Sequence, residues 1–409
     1  MINSNASVLC YYANVRFPSE RANSIQIVNM CSAFSECGVD VTLHHPIRYN
    51  RFRAAAPSLF AFYNVPERFG TKRLFSVDFI DFLPRSLQHP AFRLQSFSFG
   101  LRALPVMLRS PGAFHYIRDN ATLFLATCLL PRRVTENLFY EAHDFPEKPR
   151  SAAMLIQAVR RCGGVVAITH GLKERFLSAG LAPKRLHVAP DGVNLERFEN
   201  MPDREAARKS LSLPVGEPVA VYTGQFFPWK GVETLVGAAP YLEHPWTLVL
   251  VGGQEQDRIR LEKLAQGRNV RSRVIFRERV KPGDIPVWLS AADLLVLPNS
   301  GRFAISSHYT SPMKLFEYMA SKRPIVASDL PSLREVLRHE ENALLVPPDD
   351  SQALAKAMDR LLTDRELNDT LSCHAAQEVS RFSWIERARG ILGFMQAEVC
   401  DTRLDQGVS

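Results

Sequence analysis

Ser311-Pro312-Met313-Lys314-Leu315-Phe316-Glu317-Tyr318-Met319-Ala320, followed after one residue by Lys322-Arg323-Pro324-Ile325-Val326-Ala327-Ser328-Asp329, reads as a loop, an abruptly started helix and a buried strand. The Ser311 hydroxyl suits an N-cap, where it accepts a first-turn N–H, and Pro312 suits the first helical position, where no N–H is needed. Met313, Phe316 and Met319 or Ala320 recur at helical spacing and are expected to face the core, while Lys314 and Glu317, three apart, share another edge. That sets one cation beside one carboxylate, an arrangement that reads equally as a surface ion pair on a core helix.

Upstream, Asp293-Leu294-Leu295-Val296-Leu297 is a short apolar run ended by Pro298, and Ile325-Val326-Ala327 is another. Two such runs flanking a helix predict parallel strands and their crossover. The loop 299–310 then leaves the carboxyl end of a strand, where ligands bind in open α/β sheets, and the helix behind it turns its unpaired N–H groups to the same place. The start of this helix is the candidate phosphate cradle.

The rest of the second half continues the pattern. Runs at Val219-Ala220-Val221-Tyr222, Thr247-Leu248-Val249-Leu250-Val251 and Val274-Ile275-Phe276 alternate with helical stretches, which predicts a doubly wound parallel sheet. The first run leads into Thr223-Gly224-Gln225-Phe226-Phe227-Pro228-Trp229-Lys230-Gly231. Lys230 precedes a helix opened by Val232-Glu233, a place from which an ammonium neutralises phosphate. Gly252-Gly253 permits close approach of backbone to a ligand, and equally a simple turn.

In the first half, Val8 to Tyr12 and Val39 to Leu43 read as strands around a helical stretch from Ile25 to Phe34, a βαβ opening without G-x-G-x-x-G and so without a dinucleotide fingerprint. Phe114 to Ile117, Asn137 to Tyr140 and Gly164 to Thr169 are further strand candidates. After the second of these, Asp144 and Glu147 read as a capping box, and His143 falls at the strand's carboxyl end, as a site residue or a polar loop residue.

The run from Ser311 to Asp329, the loop around Lys230 and the segment from Arg185 to Phe198 together resemble glycosyltransferase family 4 (group 1), retaining enzymes of the GT-B architecture. The resemblance implies an α/β fold of two Rossmann-like doubly wound domains facing each other across a cleft. Residues 1–200 would bind the acceptor, 201–380 the donor, and 381–409 would form a helix crossing back to the first domain and a tail. It implies that Glu317 hydrogen-bonds the ribose of a nucleotide-sugar and that the backbone of Thr310, Ser311, Pro312 and Met313 binds its diphosphate. Lys230 matches the family's diphosphate lysine, Arg279 falls where the nucleobase is contacted mainly through backbone, and His143 matches a histidine at the donor sugar. His143, Lys230 and Glu317 are thus the expected catalytic residues. Two positions depart from the family pattern: Gln225, after Gly224, stands where an arginine is usual, and Tyr309 where many members carry a glutamate. Lys314 is expected to supply the charge that Gln225 lacks. The words from Pro18 to Gln26 resemble the family's opening loop, where Arg21 and Asn23 would bind phosphate or hydroxyl groups on the acceptor side, or simply form a solvated loop and helix cap.

Composition bounds the rest. With 409 residues, 46% hydrophobic and 22% charged, the chain is globular and long enough for two domains. The longest apolar run, 121–130, is about half of a membrane span, and no basic stretch precedes an apolar one at the N-terminus. Seven cysteines, an odd number without C-x-x-C, fit reduced thiols in a cytoplasmic protein. The net charge of +8 lies in residues 1–200, with 24 Lys and Arg against 15 Asp and Glu; the remainder has 26 against 27. Such an excess suits a phosphorylated acceptor or an anionic membrane; nucleic acid is not expected, since no zinc-finger, helix-turn-helix or RNA-recognition pattern occurs. Between 48 and 109 phenylalanines and arginines interleave, and 91–109 reads as a helix carrying Pro105: a membrane-surface patch or plain packing. There is no D-x-D and no cluster with metal-ligand spacing, so neither metal nor cofactor is expected beyond the nucleoside-diphosphate sugar as co-substrate.

The expected activity is transfer of a sugar, with retention, from a nucleoside diphosphate to a hydroxyl of a glycan or lipid-linked acceptor. The setting implied by the family is bacterial surface polysaccharide or lipid-linked glycan assembly, in the cytoplasm or at the inner face of its membrane. Two other readings compete. One is a sugar-nucleotide epimerase of related architecture; the other is a catalytically silent nucleotide-binding or membrane-scaffold protein, which Gln225 and Tyr309 would suit. A hydrolase is disfavoured by the lack of G-x-S-x-G.

Overall fold

Short apolar runs separated by helices build two sheets in the computed structural model, which describes residues 8–19, 21–48 and 58–405. The first sheet contains β1 (Val8–Tyr12), β2 (Asp40–Pro46), β3 (Gly70–Leu74), β4 (Phe114–Ile117), β5 (Leu138–Ala142), β6 (Gly164–Ala167) and β7 (Leu186–Val188), in the order 3-2-1-4-5-6-7. The second contains β8 (Val219–Gly224), β9 (Thr247–Gly252), β10 (Val274–Arg277), β11 (Leu294–Leu297), β12 (Ile325–Ser328) and β13 (Leu344–Val346), in the order 10-9-8-11-12-13. All pairings within them are parallel. Crossover helices cover both faces of a parallel sheet, which is why β9 and β11 are apolar along their length and buried throughout except at Gly252. Both sheets are Rossmann-like, and each reverses its strand order beside its first strand, at β1/β4 and at β8/β11. In such sheets ligands bind outside the carboxyl ends of the strands at that reversal.

The chain divides into Met1–Pro190 with Trp384–Ser409, and Asp191–Ser383. The first division falls ten residues before the expected 200 because Asp191–Phe198 packs with the second unit: Val193 and Phe198 join its core, and the Val193 N–H bonds the Phe382 carbonyl at 3.0 Å. The C-terminal helix spans Trp384–Asp405 and belongs to the first unit.

Three local expectations are corrected. Helix Met313–Ala320 starts one residue late, with Pro312 at the N-cap and no side-chain cap. The Ser311 hydroxyl is engaged elsewhere, accepting the Asp191 N–H at 2.8 Å. Met313 is only half-buried, and Leu315, Phe316, Tyr318 and Met319 form the helix's inner face. The Asp144–Glu147 capping box does not form, because the next helix, Pro149–Val159, begins only beyond both residues. The helix expected at 91–109 begins at Arg85 and runs to Arg109 through both Pro90 and Pro105.

Three histidines of the first unit make its stability pH-dependent. His44, His45 and His115 are buried, and burial holds each down to about 4. In an unfolded chain they titrate near 6.5, so between about pH 6.5 and 4 the unfolded state binds more protons than the folded one. Their neutral burial is fully tolerated above about pH 6.5, and stability falls as pH drops towards 4, by up to about 3 kcal/mol for each histidine. Denaturant titrations from pH 7.5 to 4.5 are expected to show this loss for the first unit, and His115→Gln to make it shallower; a flat profile would contradict the assignment.

Candidate functional site

In the second unit the turn after β8 is made for close approach. Gly224 has φ +124°, and a Cβ added there would lie 2.9 Å from the Lys314 ammonium. Gly252 and Gly253 serve the backbone itself: a Cβ on Gly252 would meet the Gly224 carbonyl at 2.3 Å, and the Gly253 N–H bonds that carbonyl at 2.9 Å. Pro228–Lys230 forms a single 3-10 turn, and Gly231, at φ +65°, leads into helix Val232–Ala238. A Cβ on Gly231 would overlap the Pro298 carbonyl at 1.9 Å, so this turn is pressed onto the end of β11. Lys230 is buried as a result, its ammonium 3.8 Å over the Trp229 ring. Burial pushes its pKa down to about 7, which the Asp191 carboxylate partly opposes.

Lys314 is the more exacting case. Its ammonium lies 3.7 Å from the centroid of the Tyr222 ring and is buried, with no hydrogen-bond partner among the described residues. Burial, and then the neighbouring Lys230 charge, hold it well below the usual lysine range, while Glu317 works the other way. Glu317 is raised by burial and pulled down by Arg197 and Lys314. Lys314 and Glu317 are therefore partly buried members of one charged group, not an exposed pair. Asn299, two residues past β11, is fully buried with neither amide atom paired among the described residues.

The other residues expected in this region fall into two sets. Arg279 donates from Nη2 to Gln225 Oε1 at 2.9 Å and from Nε to the Gly253 carbonyl at 3.1 Å, so it enters by its guanidinium rather than by backbone alone. That places a cation beside the neutral Gln225. The Thr310 hydroxyl bonds the Ile305 carbonyl at 2.6 Å and the Ser311 hydroxyl is held by Asp191, so both side chains are engaged, and Pro312 has no N–H to offer. Tyr309 ends helix Ala304–His308, half-buried beside the His308 ring.

In the first unit the carboxyl ends of β4 and β5 hold a polar cluster around Glu141, which has no exposed surface. Glu141 accepts from Tyr11 at 3.1 Å, from the Gln26 amide, and from His143 Nε2 at 2.9 Å. Arg118, just beyond β4, bonds Gln26 Oε1 and faces His143 Nδ1 at 3.3 Å. Burial, and then Arg118, hold the His143 imidazole down to about 4. Gln26, not Arg21 or Asn23, is the residue of helix Ala22–Glu36 that enters this cluster. Arg21 is exposed at the N-cap, its N–H bonding Ser19 Oγ at 3.3 Å, and Asn23 accepts the Ser24 N–H at 2.9 Å.

A family model for "Glycosyl transferases group 1" matches residues 217–364. That match lies wholly within the second unit. The chain is 30% identical over 258 residues to a D-inositol 3-phosphate glycosyltransferase of Xylanimonas cellulosilytica, covering 61% of the chain and 60% of that relative. The chain spans between about half and three fifths of the length of the first curated relatives it matches. Among solved structures, sucrose-phosphate synthase from Thermosynechococcus elongatus superimposes with a TM-score of 0.74 at 21% identity, covering 96% of this chain and 98% of that one. The Anabaena protein HepE, solved in complex with UDP and glucose, gives a TM-score of 0.69 at 18% identity, covering 96% and 100%. At such identities the likeness is one of fold, the two Rossmann-like domains of GT-B glycosyltransferases.

The sequence pattern did not point to Asp191, Arg197 and Asn299 in the second unit, nor to Gln26, Arg118 and Glu141 in the first. Asp191 and Arg197 precede the Met313 helix by more than a hundred residues and reach it by packing, which no periodicity reveals. Asn299 had one local signal: it stands immediately past a buried parallel strand, at the end where ligands bind.

Proposed function

We propose that the protein is a retaining glycosyltransferase that moves a sugar from a nucleoside-diphosphate sugar to an acceptor hydroxyl. The observation that carries this reading is the pair of lysines near the carboxyl end of β8: Lys230, which is buried, and Lys314, whose buried ammonium has no acceptor among the described residues. Two like charges held out of water are unfavourable until an anion joins them. A diphosphate supplies that anion, and the N–H groups at the start of helix Met313–Ala320 add partial positive charge to the same place. Arg279, through its bond to Gln225, brings a further cation to the turn after β8.

In the transfer the bond from the anomeric carbon to the diphosphate oxygen breaks, the acceptor hydroxyl oxygen bonds that carbon and its proton passes to the departing diphosphate. The two lysines offset the charge that collects on the leaving group, with no metal required. Glu317, held with Arg197, accepts from the ribose hydroxyls. The Asn299 amide, unpaired among the described residues, offers a donor and an acceptor to the bound nucleotide-sugar. His143 takes over, in this reading, the role of the family's histidine at the donor sugar. Retention is carried over from the likeness of residues 311–329 to the family. The test is incubation with UDP-, GDP- and ADP-sugars plus chelator, with and without glycan or lipid-linked acceptors. Acceptor-dependent release of the nucleoside diphosphate and an unchanged anomeric configuration in the product are expected. Conversion of the donor to an epimer without acceptor, or no turnover at all, would overturn the reading.

The acceptor in this reading is a lipid-linked or surface-glycan precursor met at the inner face of the cytoplasmic membrane. Among the described residues no helix is long and apolar enough to cross a membrane. Helix Arg85–Arg109 instead exposes Leu87, Leu94, Leu101 and Leu108, seven residues apart, with Phe92 and Phe97 also exposed and Phe82, 73% exposed, just ahead of it. Residues 70–110 hold six basic side chains, Lys72, Arg73, Arg85, Arg93, Arg102 and Arg109, against Asp78 and Asp81, which pair with Arg48 at 2.9 Å and Arg16 at 2.7 Å. An apolar stripe rimmed by unneutralised cations suits an anionic lipid surface. Sedimentation with vesicles containing phosphatidylglycerol is expected, and loss of it in Leu94→Ser/Leu101→Ser with nucleotide binding intact. Equal sedimentation of the variant would contradict this surface.

A further inference from the structure

One residue of the C-terminal helix ends in the cluster that holds His143. Arg387, 6% exposed, donates from Nη2 to Glu141 Oε1 at 3.0 Å, and from Nε to the carbonyls of Pro190 at 2.8 Å and Ala189 at 3.3 Å. Glu141 Oε1 is a shared acceptor, since His143 Nε2 lies 2.9 Å from it. The ring's tautomer follows from chemistry. A guanidinium can only donate, so His143 Nδ1, facing Arg118 Nη2 at 3.3 Å, is the acceptor, and the ring proton sits on Nε2, directed at Glu141. Whatever keeps Glu141 ionised and oriented therefore fixes the His143 ring.

We infer that Arg387 is a positioning residue for His143, acting through Glu141: its guanidinium holds the carboxylate in place inside the fold, and the carboxylate holds the His143 ring with its proton on Nε2. The functional meaning rests on His143 being a site residue, as proposed above; the arrangement itself does not depend on a nucleotide. The charged groups facing the ring are Glu141 from β5, Arg118 from the end of β4 and Arg387 from helix Trp384–Asp405. Burial works against ionisation of Glu141, and Arg387, followed by His143 and Arg118, overcomes it and holds the carboxyl well below its usual range. Burial, then Arg118, and lastly Arg387 disfavour the imidazolium, which Glu141 favours. Without Arg387 the Glu141–His143 pair takes up a proton nearer to neutral pH. A role confined to packing the helix onto the first unit would leave that proton where it is.

The test is nitrogen-15 histidine NMR on the full chain, with the His143 signals assigned by their loss in His143→Gln. In the wild type a single Nε2–H tautomer is expected, with no titration between about pH 8 and 5. Arg387→Met is expected to raise the midpoint of proton uptake at the pair by at least about one pH unit and to lose the single tautomer. Arg387→Lys, which returns the charge, is expected to restore the wild-type behaviour in large part. If Arg387→Met fails to fold, Arg387→Gln, which removes the charge but keeps N–H donors for the Pro190 and Ala189 carbonyls, takes its place, and the same rise is expected. A ring that titrates alike with and without Arg387, or a wild-type ring that titrates in the ordinary histidine range, overturns the inference. Because no nucleotide is used, this can fail while the donor-site reading stands, and the donor-site reading can fail while this stands.

Discussion

Lys314→Met is expected to make the ligand-free protein more stable and to remove most of its affinity for nucleoside diphosphates. Both effects come from one atom. The Lys314 ammonium is buried against Tyr222 without an acceptor among the described residues, next to Lys230. A methionine fills similar volume without a polar group to desolvate, and replacing poorly compensated buried charge by an apolar side chain gains about 1–4 kcal/mol. With a diphosphate bound the balance reverses, since the ammonium then has its anion. Deleting one partner of a buried charged contact costs about 2–5 kcal/mol, a loss of affinity from about thirtyfold to several thousandfold. Denaturant unfolding and nucleotide titration on the same preparation separate the two terms. A variant that is less stable, or that binds as the wild type does, would show that Lys314 is packed for structure and not for an anion. Lys230 adds a pH signature. Its pKa is held at about 7, below the ordinary lysine value, and a bound diphosphate favours the ammonium. Binding above pH 7 should therefore take up a proton, and affinity should fall as pH rises from 7 towards 9.

Glu141→Ala is expected to be among the most damaging single substitutions in the first unit. The carboxylate is the acceptor for Tyr11, Gln26, His143 and Arg387, and it has no exposed surface. Removing it leaves Arg387 as an uncompensated buried cation, which costs about 3–5 kcal/mol, and strands three further donors. Glu141→Gln keeps an acceptor oxygen, so its cost should be nearer to the about 1–3 kcal/mol of a disrupted buried polar contact. Urea denaturation of the two variants would check the order. Equal costs would mean that the whole loss follows the carboxylate charge and that the acceptor oxygen kept by glutamine contributes nothing.

What could be read from the sequence was whatever is written locally. Strands such as β9 and β11 are continuous apolar runs because parallel strands are buried on both faces, and their ends located Gly224, Lys230 and the start of the Met313 helix. β3 left no trace: Gly70 to Arg73 are exposed at the sheet's edge, so no buried face imposed an alternation. β13 is three residues long, too short to stand out. Ser311 was misread as a cap because Asp191, 120 residues earlier, competes for its hydroxyl. Arg387 and Glu141, 246 residues apart, meet only through the packing of helix Trp384–Asp405 against the first unit. A helical pattern shows that a residue is on a helix; it does not show which buried carboxylate that helix will bring it to.

The central claim is that the ends of β8 and β11 and the start of helix Met313–Ala320 hold a nucleoside diphosphate by lysine charge. Calorimetric titration of UDP, GDP and ADP in the presence of chelator, on the wild type and on Lys230→Ala, tests it most directly. Micromolar binding of one of the three, on the order of 8 kcal/mol, lost in the variant, is the predicted result. Absence of binding by all three, or binding that needs a divalent cation and survives Lys230→Ala, would contradict it.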